Sequence, residues 1–154
     1  MDEDRAQISI EVGVLLNQVH SVATERLNAA LQPMSLTSRH AAVMFLIRDG
    51  VETQRDLVRR LNTDKTGMVR MIDDLDRLGY VSRTPSTSDR RVTILKLTGD
   101  GEHALREAQQ HTRQVADDVF RSVGSPELIE LRSILSGVMG RETPPGQADH
   151  GQSE

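Results

Sequence analysis

The sequence predicts a mainly α-helical chain with one small β-hairpin. Three observations carry this. Apolar residues recur at helical spacing over long stretches near both ends, two capped segments in mid-chain are separated by only Asn62-Thr63, and one β-branched run, Val92 to Leu97, follows a Pro/Ser/Thr turn.

Each element has its own signal. Ile8, Val12, Leu15, Val19, Ala23, Leu27 and Ala30 form one apolar face of a helix from Arg5 to Leu31, and Pro33 marks its end. Thr37 predicts an N-cap for a helix running to about Arg48, with Ala41, Met44, Phe45 and Leu46 inside and Asp49-Gly50 as the stop. Thr53, with Asp56 three residues on, is a loose capping box for a short helix carrying Leu57, Val58 and Leu61. Asp64 caps the next, "KTGMVRMIDDLDRL", which Gly79 terminates. Two helices joined so tightly predict a helix-turn-helix. Tyr80 to Arg83 and Val92 to Leu97 flank "TPSTSD" as two strands. Thr98 caps a long helix with Asp100 and Glu102 in its first turn, where the dipole favours acids. Its apolar stripe runs from Ala104 and Leu105 to Phe120 and Val123. Ser125-Pro126 predicts an N-cap and first helical residue for a last helix through Leu128, Leu131, Leu135 and Val138 to about Gly140. The tail "RETPPGQADHGQSE" has no apolar face and is expected to be disordered.

Composition narrows the function. A chain of 154 residues is about one domain, and 2% aromatic content argues against large aromatic-lined pockets. The absence of cysteine removes disulfides, thiolate metal sites and cysteine redox switches. No apolar run approaches the ~18 residues of a membrane span, and "MDEDRAQ" is not signal-like, so a cytoplasmic protein with no membrane contact is expected. Ser35 to Asp100 holds 12 basic and 9 acidic residues, while the remainder holds 7 and 14. An electropositive middle with acidic flanks suits a local polyanion contact, although ordinary variation in surface charge gives similar numbers.

The helix after Asp64 sorts its residues by face. Met68, Met71, Ile72, Leu75 and Leu78 form an apolar side, while Lys65, Thr66, Val69, Arg70 and Asp73 fall on or near the other. Lys and Arg can donate to guanine or phosphate, Thr can bond a base edge, and Val can meet a thymine methyl. Gly67 either lets the backbone approach a duplex or is simple drift costing about 1 kcal/mol of helix propensity. The hairpin that follows then becomes a wing whose Arg90 can reach an adjacent minor groove. Asp89 and Arg91 can brace it from within the lobe. Taken alone, Asp89-Arg90-Arg91 reads as a solvated turn; its place after a helix-turn-helix favours the wing.

These residues resemble the MarR (multiple antibiotic resistance regulator) family of bacterial transcription regulators. "LTSRHAAVMFLI" resembles the family's second helix, and "LVRRLNTDKTGMVRMIDDLDRLGYVSR" its helix-turn-helix. "DRRVTILKLTGDG" matches the wing signature at Asp89, Arg91, Leu97, Thr98 and Gly101. The resemblance implies a winged helix-turn-helix lobe plus long terminal helices that form a dimerisation bundle. It implies a homodimer on double-stranded DNA with a near-palindromic operator. The domains expected are a dimerisation helix over 1–34, the DNA-binding lobe over 35–98, dimerisation helices over 99–140 and a tail over 141–154. The long helices are also more apolar than one small lobe can cover; an intramolecular bundle is the alternative. Asn62 stands where glycine is common in the turn, and Gly67 where a small polar residue is common. The family's peroxide-sensing cysteine and urate-responsive tryptophan are both absent.

Lys65 and Arg70 match the family's DNA-contact positions. Arg39, Arg55 and Arg90 are expected on phosphates. The family's effector pocket implies a small-molecule ligand, aromatic or anionic, near His20, His40, Met44 and Arg48. The function expected is a repressor that its ligand releases; the alternatives are a constitutive regulator without an effector, or an activator. No enzyme is expected, because no phosphate loop or nucleophile elbow is present. No cofactor or metal is expected either: His103 and His111 share a helix face without further ligands nearby.

Overall fold

Side-chain caps set four of the helix starts. In the computed structural model, which describes residues 3–142, the elements are α1 (Glu3–Leu31), a 3-10 turn (Gln32–Met34), α2 (Ser38–Arg48), α3 (Gln54–Leu61), α4 (Lys65–Arg77), β1 (Val81–Pro85), β2 (Thr93–Leu97), α5 (Gly99–Val119) and α6 (Ser125–Glu142). Thr37 Oγ1 accepts the His40 N–H at 3.3 Å, and His40 Nδ1 accepts the Thr37 N–H at 3.1 Å, closing a capping box on α2. Thr53 Oγ1 accepts the Asp56 N–H at 3.2 Å and donates to Asp56 Oδ2 at 2.7 Å. Asp64 Oδ1 accepts the Gly67 N–H at 2.7 Å. That bond holds the Asp64 carboxyl below its ordinary range, with the Arg39 guanidinium adding to the effect. Thr98 Oγ1 accepts the Gly101 N–H at 3.0 Å and donates to the Gly79 carbonyl at 2.6 Å, tying the start of α5 to the end of α4.

One core serves α1 to α5 and the hairpin. α2 is its centre: His40, Ala41, Val43, Met44 and Ile47 are buried, and the helix packs on α1, α3, α4, α5 and β2. Leu31 of α1, Leu57 of α3, Met68, Ile72 and Leu75 of α4, Val81 of β1, Leu95 of β2 and Ala104, Leu105 and Ala108 of α5 complete it. Residues 35–98 therefore share their core with α1 and α5. The hairpin is antiparallel, from Val81 opposite Leu97 to Pro85 opposite Thr93.

α6 and the turn before it form a separate compact unit from Phe120 onward. Val123 N–H donates to Phe120 O at 2.9 Å, and Leu128 N–H to Gly124 O at 3.0 Å. Phe120, Leu128, Leu131, Leu135 and Met139 line an apolar recess of about 420 Å³. The tail from residue 143 lies outside the described residues.

Several boundaries differ from those the sequence predicts. β1 runs two residues further, to Pro85, where the missing proline N–H costs nothing at a two-stranded edge. β2 begins at Thr93, because Val92 closes the turn by donating to Asp89 O at 2.9 Å. α5 stops at Val119, since Phe120 to Gly124 turn, and the stripe's last two residues, Phe120 and Val123, belong to that turn. Ser125 is already helical, which puts Pro126 one position deeper in the first turn than the expected N-cap pairing.

Gly101 is required by packing. A Cβ there would lie 1.9 Å from the Tyr80 carbonyl oxygen, a backbone atom that cannot turn aside. Alanine gains up to about 1 kcal/mol of helix propensity, which this clash overrides. Gly101→Ala is therefore expected to lower stability by about 1–3 kcal/mol in urea unfolding; a more stable variant would show that α5 does not approach Tyr80 this closely.

Candidate nucleic-acid interface

The turn between α3 and α4 depends on Asn62, which adopts a left-handed conformation at φ 46°. Asparagine tolerates this region better than other non-glycine residues, so it can stand where glycine is common. Asp64 then starts α4. The core takes Met68, Ile72 and Leu75, spaced four and three residues apart, and this fixes the helix's rotation. Lys65, Thr66 and Arg70 are consequently exposed, and Gly67 and Val69 are half-buried beside them. A Cβ on Gly67 would sit 3.0 Å from Asp64 Oδ2, so the capping carboxylate crowds this position. This crowding gives Gly67 a local packing role beside any role on DNA.

The wing is held from three sides. Leu95 N–H donates to the Glu52 carbonyl at 2.8 Å, tying β2 to the loop before α3. Thr98 N–H donates to Tyr80 O at 3.0 Å. Arg83 of β1 pairs with Asp73 and, at 3.6 Å, with Asp76, both on α4. At the tip, Ser86 N–H donates to Val92 O at 2.8 Å, and Asp89 Oδ1 accepts the backbone N–H of Arg91 at 3.0 Å. Asp89 thus braces the turn through backbone, and the guanidinium groups of Arg90 and Arg91 remain exposed.

The basic residues divide into two sets. Arg48, Arg59, Arg77 and Arg83 pair with aspartates. Lys65, Arg55, Arg70, Arg90 and Arg91 make no ion pair among the described residues. Arg39, at the start of α2, is exposed and close enough to Asp64 to act on its carboxyl. Arg55 lines a recess of about 360 Å³ with Thr53, Gln54, Val92 and Thr93, so the start of α3 lies beside the base of the wing tip. Uncommitted cations with a small polar face on α4 can donate to phosphate oxygens and guanine edges; Thr66 and Val69 add a hydroxyl and a methyl contact.

The four residues expected near a ligand differ in exposure. Met44 is sealed in the core, and His40 is 9% exposed. Burial lowers the pKa of the His40 imidazole, whose Nε2 lacks a hydrogen-bond partner and lies 3.6 Å from Asp74 Oδ2. His20 is exposed on α1. Arg48 pairs with Asp49, stacks 5.1 Å over the Phe45 ring, and lines a recess of about 210 Å³ with Leu97, Glu102, Leu105, Arg106 and Gln109. No group of three His, Asp or Glu among the described residues could hold a metal ion, and none of their helices is long and apolar enough to cross a membrane. His103 faces Glu107 at 3.6 Å.

Sequence reasoning missed three features. The Arg83 clamp has a visible signal in the Asp73/Asp76 spacing, one helical turn apart, but its partner strand is not named by it. His40 occupies the position where a capping box usually has Glu or Gln, and this hid its role. Gly101 belongs to the quoted wing motif, yet its reason is a contact with Tyr80, 21 residues away in sequence and visible only in space.

Comparison with known proteins agrees with this geometry. A winged helix DNA-binding domain matches residues 36–101. The multiple antibiotic resistance protein MarR of Salmonella typhimurium is 27% identical over 132 residues, covering 84% of this chain and 92% of that protein. MarR of Escherichia coli K12 matches to the same extent, 27% over 132 residues. A cysteine-to-serine mutant of Escherichia coli MarR complexed with operator DNA superposes with a TM-score of 0.75 at 27% identity, covering 84% of this chain and 94% of that one. Apo wild-type Escherichia coli MarR gives 0.73 at 26% identity, covering 82% and 95%. With its helix-turn-helix, its braced wing and its long flanking helices, this chain carries a winged helix DNA-binding domain and is similar over more than four-fifths of its length to MarR transcriptional regulators.

Proposed function

We propose that the chain acts as a homodimeric repressor, and that a small molecule lowers its affinity for a near-palindromic operator. The observation that carries the dimer is α1. Ile8, Val12, Leu15, Val19 and Val22 lie on one side of its amino-terminal half, with Leu16 beside them and Ile10 and Val14 opposite, and all are 40–62% exposed. A helix segment apolar all round is stable only when covered. Fully burying each such side chain contributes about 1.5–3 kcal/mol, so a twin surface outweighs the loss of free rotation. Ile129, Ile134 and Val138 of α6 are exposed in the same way.

In the dimer, each α4 enters a major groove and the two are about one helical turn apart. Lys65, Thr66, Val69 and Arg70 meet base edges and phosphates, with Gly67 keeping the first turn slim. Arg39, Arg55, Arg90 and Arg91 neutralise phosphates, and Asp89 holds the wing tip in shape. The related MarR bound to operator DNA supports this reading. The work is binding rather than catalysis, and it takes place in the cytoplasm.

The effector step rests on the family. An anionic or aromatic ligand acts near Arg48 and His20, with His40 and Met44 behind them, and favours a spacing of the α4 helices that misses two half-sites. Equal ligand affinity for free and operator-bound protein, by calorimetry, would remove this step.

Two outcomes test the rest. Sedimentation of the wild type at micromolar concentration is expected to give the mass of two chains. Leu15→Glu is expected to shift it toward a folded monomer that no longer retards DNA from upstream of its own gene; a wild-type monomer that still retards that DNA would end the dimer reading. Arg70→Ala is expected to cost roughly 1–3 kcal/mol at one position of each half-site. An equal loss on every duplex sequence would instead make Arg70 a phosphate contact.

A further inference from the structure

We propose that His40 is a proton-sensitive positioning residue: neutral, it caps α2 and holds the Arg39 end of that helix beside α4; protonated, it leaves the cap for Asp74 of α4, and DNA affinity falls.

The geometry fixes the tautomer. Nδ1 accepts the Thr37 N–H at 3.1 Å and lies 3.0 Å from Thr37 Oγ1, so the ring proton sits on Nε2. A capping box usually completes this circuit with Glu or Gln, whose oxygen accepts at any pH near neutrality. Histidine cannot do so once charged. A proton on Nδ1 can be taken by Thr37 Oγ1, but the Thr37 N–H then faces a donor and loses its acceptor.

The other side of the ring supplies the alternative partner. Nε2 is buried with no hydrogen bond and is 3.6 Å from Asp74 Oδ2, just beyond bonding distance. No other carboxylate comes within 4.0 Å of the ring among the described residues. Asp74 is itself paired with Arg77 on α4. On the side of α1, the polar group at this helix start is neutral: Asn28 Oδ1 accepts the Ser38 N–H at 2.8 Å. On α2 itself the neighbouring charge is Arg39, which acts on the Asp64 cap of α4. Charging His40 therefore pulls on both ends of the α2–α4 contact, loosening the first turn of α2 while drawing Asp74 from Arg77.

The sign follows from burial. The folded ring's pKa lies below the usual 6.5, so the unfolded chain binds the proton more readily. The cap's contribution is complete above that value and is lost as pH falls through it toward the lower folded value.

The test compares full-length wild type with His40→Gln, which keeps an acceptor at the box and cannot titrate. The probe is a duplex selected from a random pool by the wild type at pH 7.5, with ionic strength held constant. From pH 7.5 to 5.5 the wild type is expected to lose roughly three-fold or more in affinity relative to His40→Gln, the scale of one lost cap. In wild type without DNA, the Thr37 amide resonance is expected to titrate with the His40 ring, with a midpoint below 6.5. A Thr37 amide that ignores the His40 titration would overturn the switch in the cap itself. Parallel affinity profiles with a titrating Thr37 would overturn its link to DNA.

Discussion

The rotation of α4 is the constraint on which the rest depends. Met68, Ile72 and Leu75 are fully or almost fully buried, and removing any one of them from the core costs several kcal/mol. Because helical geometry ties side-chain direction to sequence position, that burial dictates where the polar residues go. Lys65, Thr66 and Arg70 face outward because the apolar face is anchored, with no dedicated contact needed to present them. Asp64 fixes where the helix begins, and Gly79, at φ 76°, fixes where it ends.

The charge distribution is arranged around that helix rather than across the molecule. The chain is acidic, with a formal net charge of −4. A protein of this charge does not attract a polyanion as a whole, so its attraction must be local. Ion pairing achieves part of this. Asp73 and Asp76, which sit on the recognition helix and would repel phosphate, are engaged by Arg83 of the wing. The same contact ties the wing to the helix. Lys65, Arg70, Arg90 and Arg91 keep their charge uncommitted. A surface pair of this kind contributes little stability, ~1 kcal/mol at most, and its value here is geometric.

Most of the lobe was legible because its signals are local. Thr37, Thr53, Asp64 and Thr98 each cap the helix that their spacing predicts, and the wing follows from β-branched residues beside turn formers. What stayed hidden depends on contacts distant in sequence. The burial of His40 follows from α2 lying at the centre of five neighbours, which its composition does not reveal. Gly101 needs the Tyr80 carbonyl to explain it. The apolar stripe of α1 shows the reverse case. Its carboxyl-terminal end, Leu27 to Leu31, packs on the core, but the large apolar residues from Ile8 to Val22 stay 40–62% exposed in a single chain. The periodicity was readable, but these residues find no matching burial among the described residues.

Hydroxyl-radical footprinting on a bound duplex tests the central claim most directly. Two α4 helices presented by one dimer predict two protected segments on one face of the duplex, with centres about one helical turn apart. A single protected segment, or protection spread evenly around the duplex, would contradict the account.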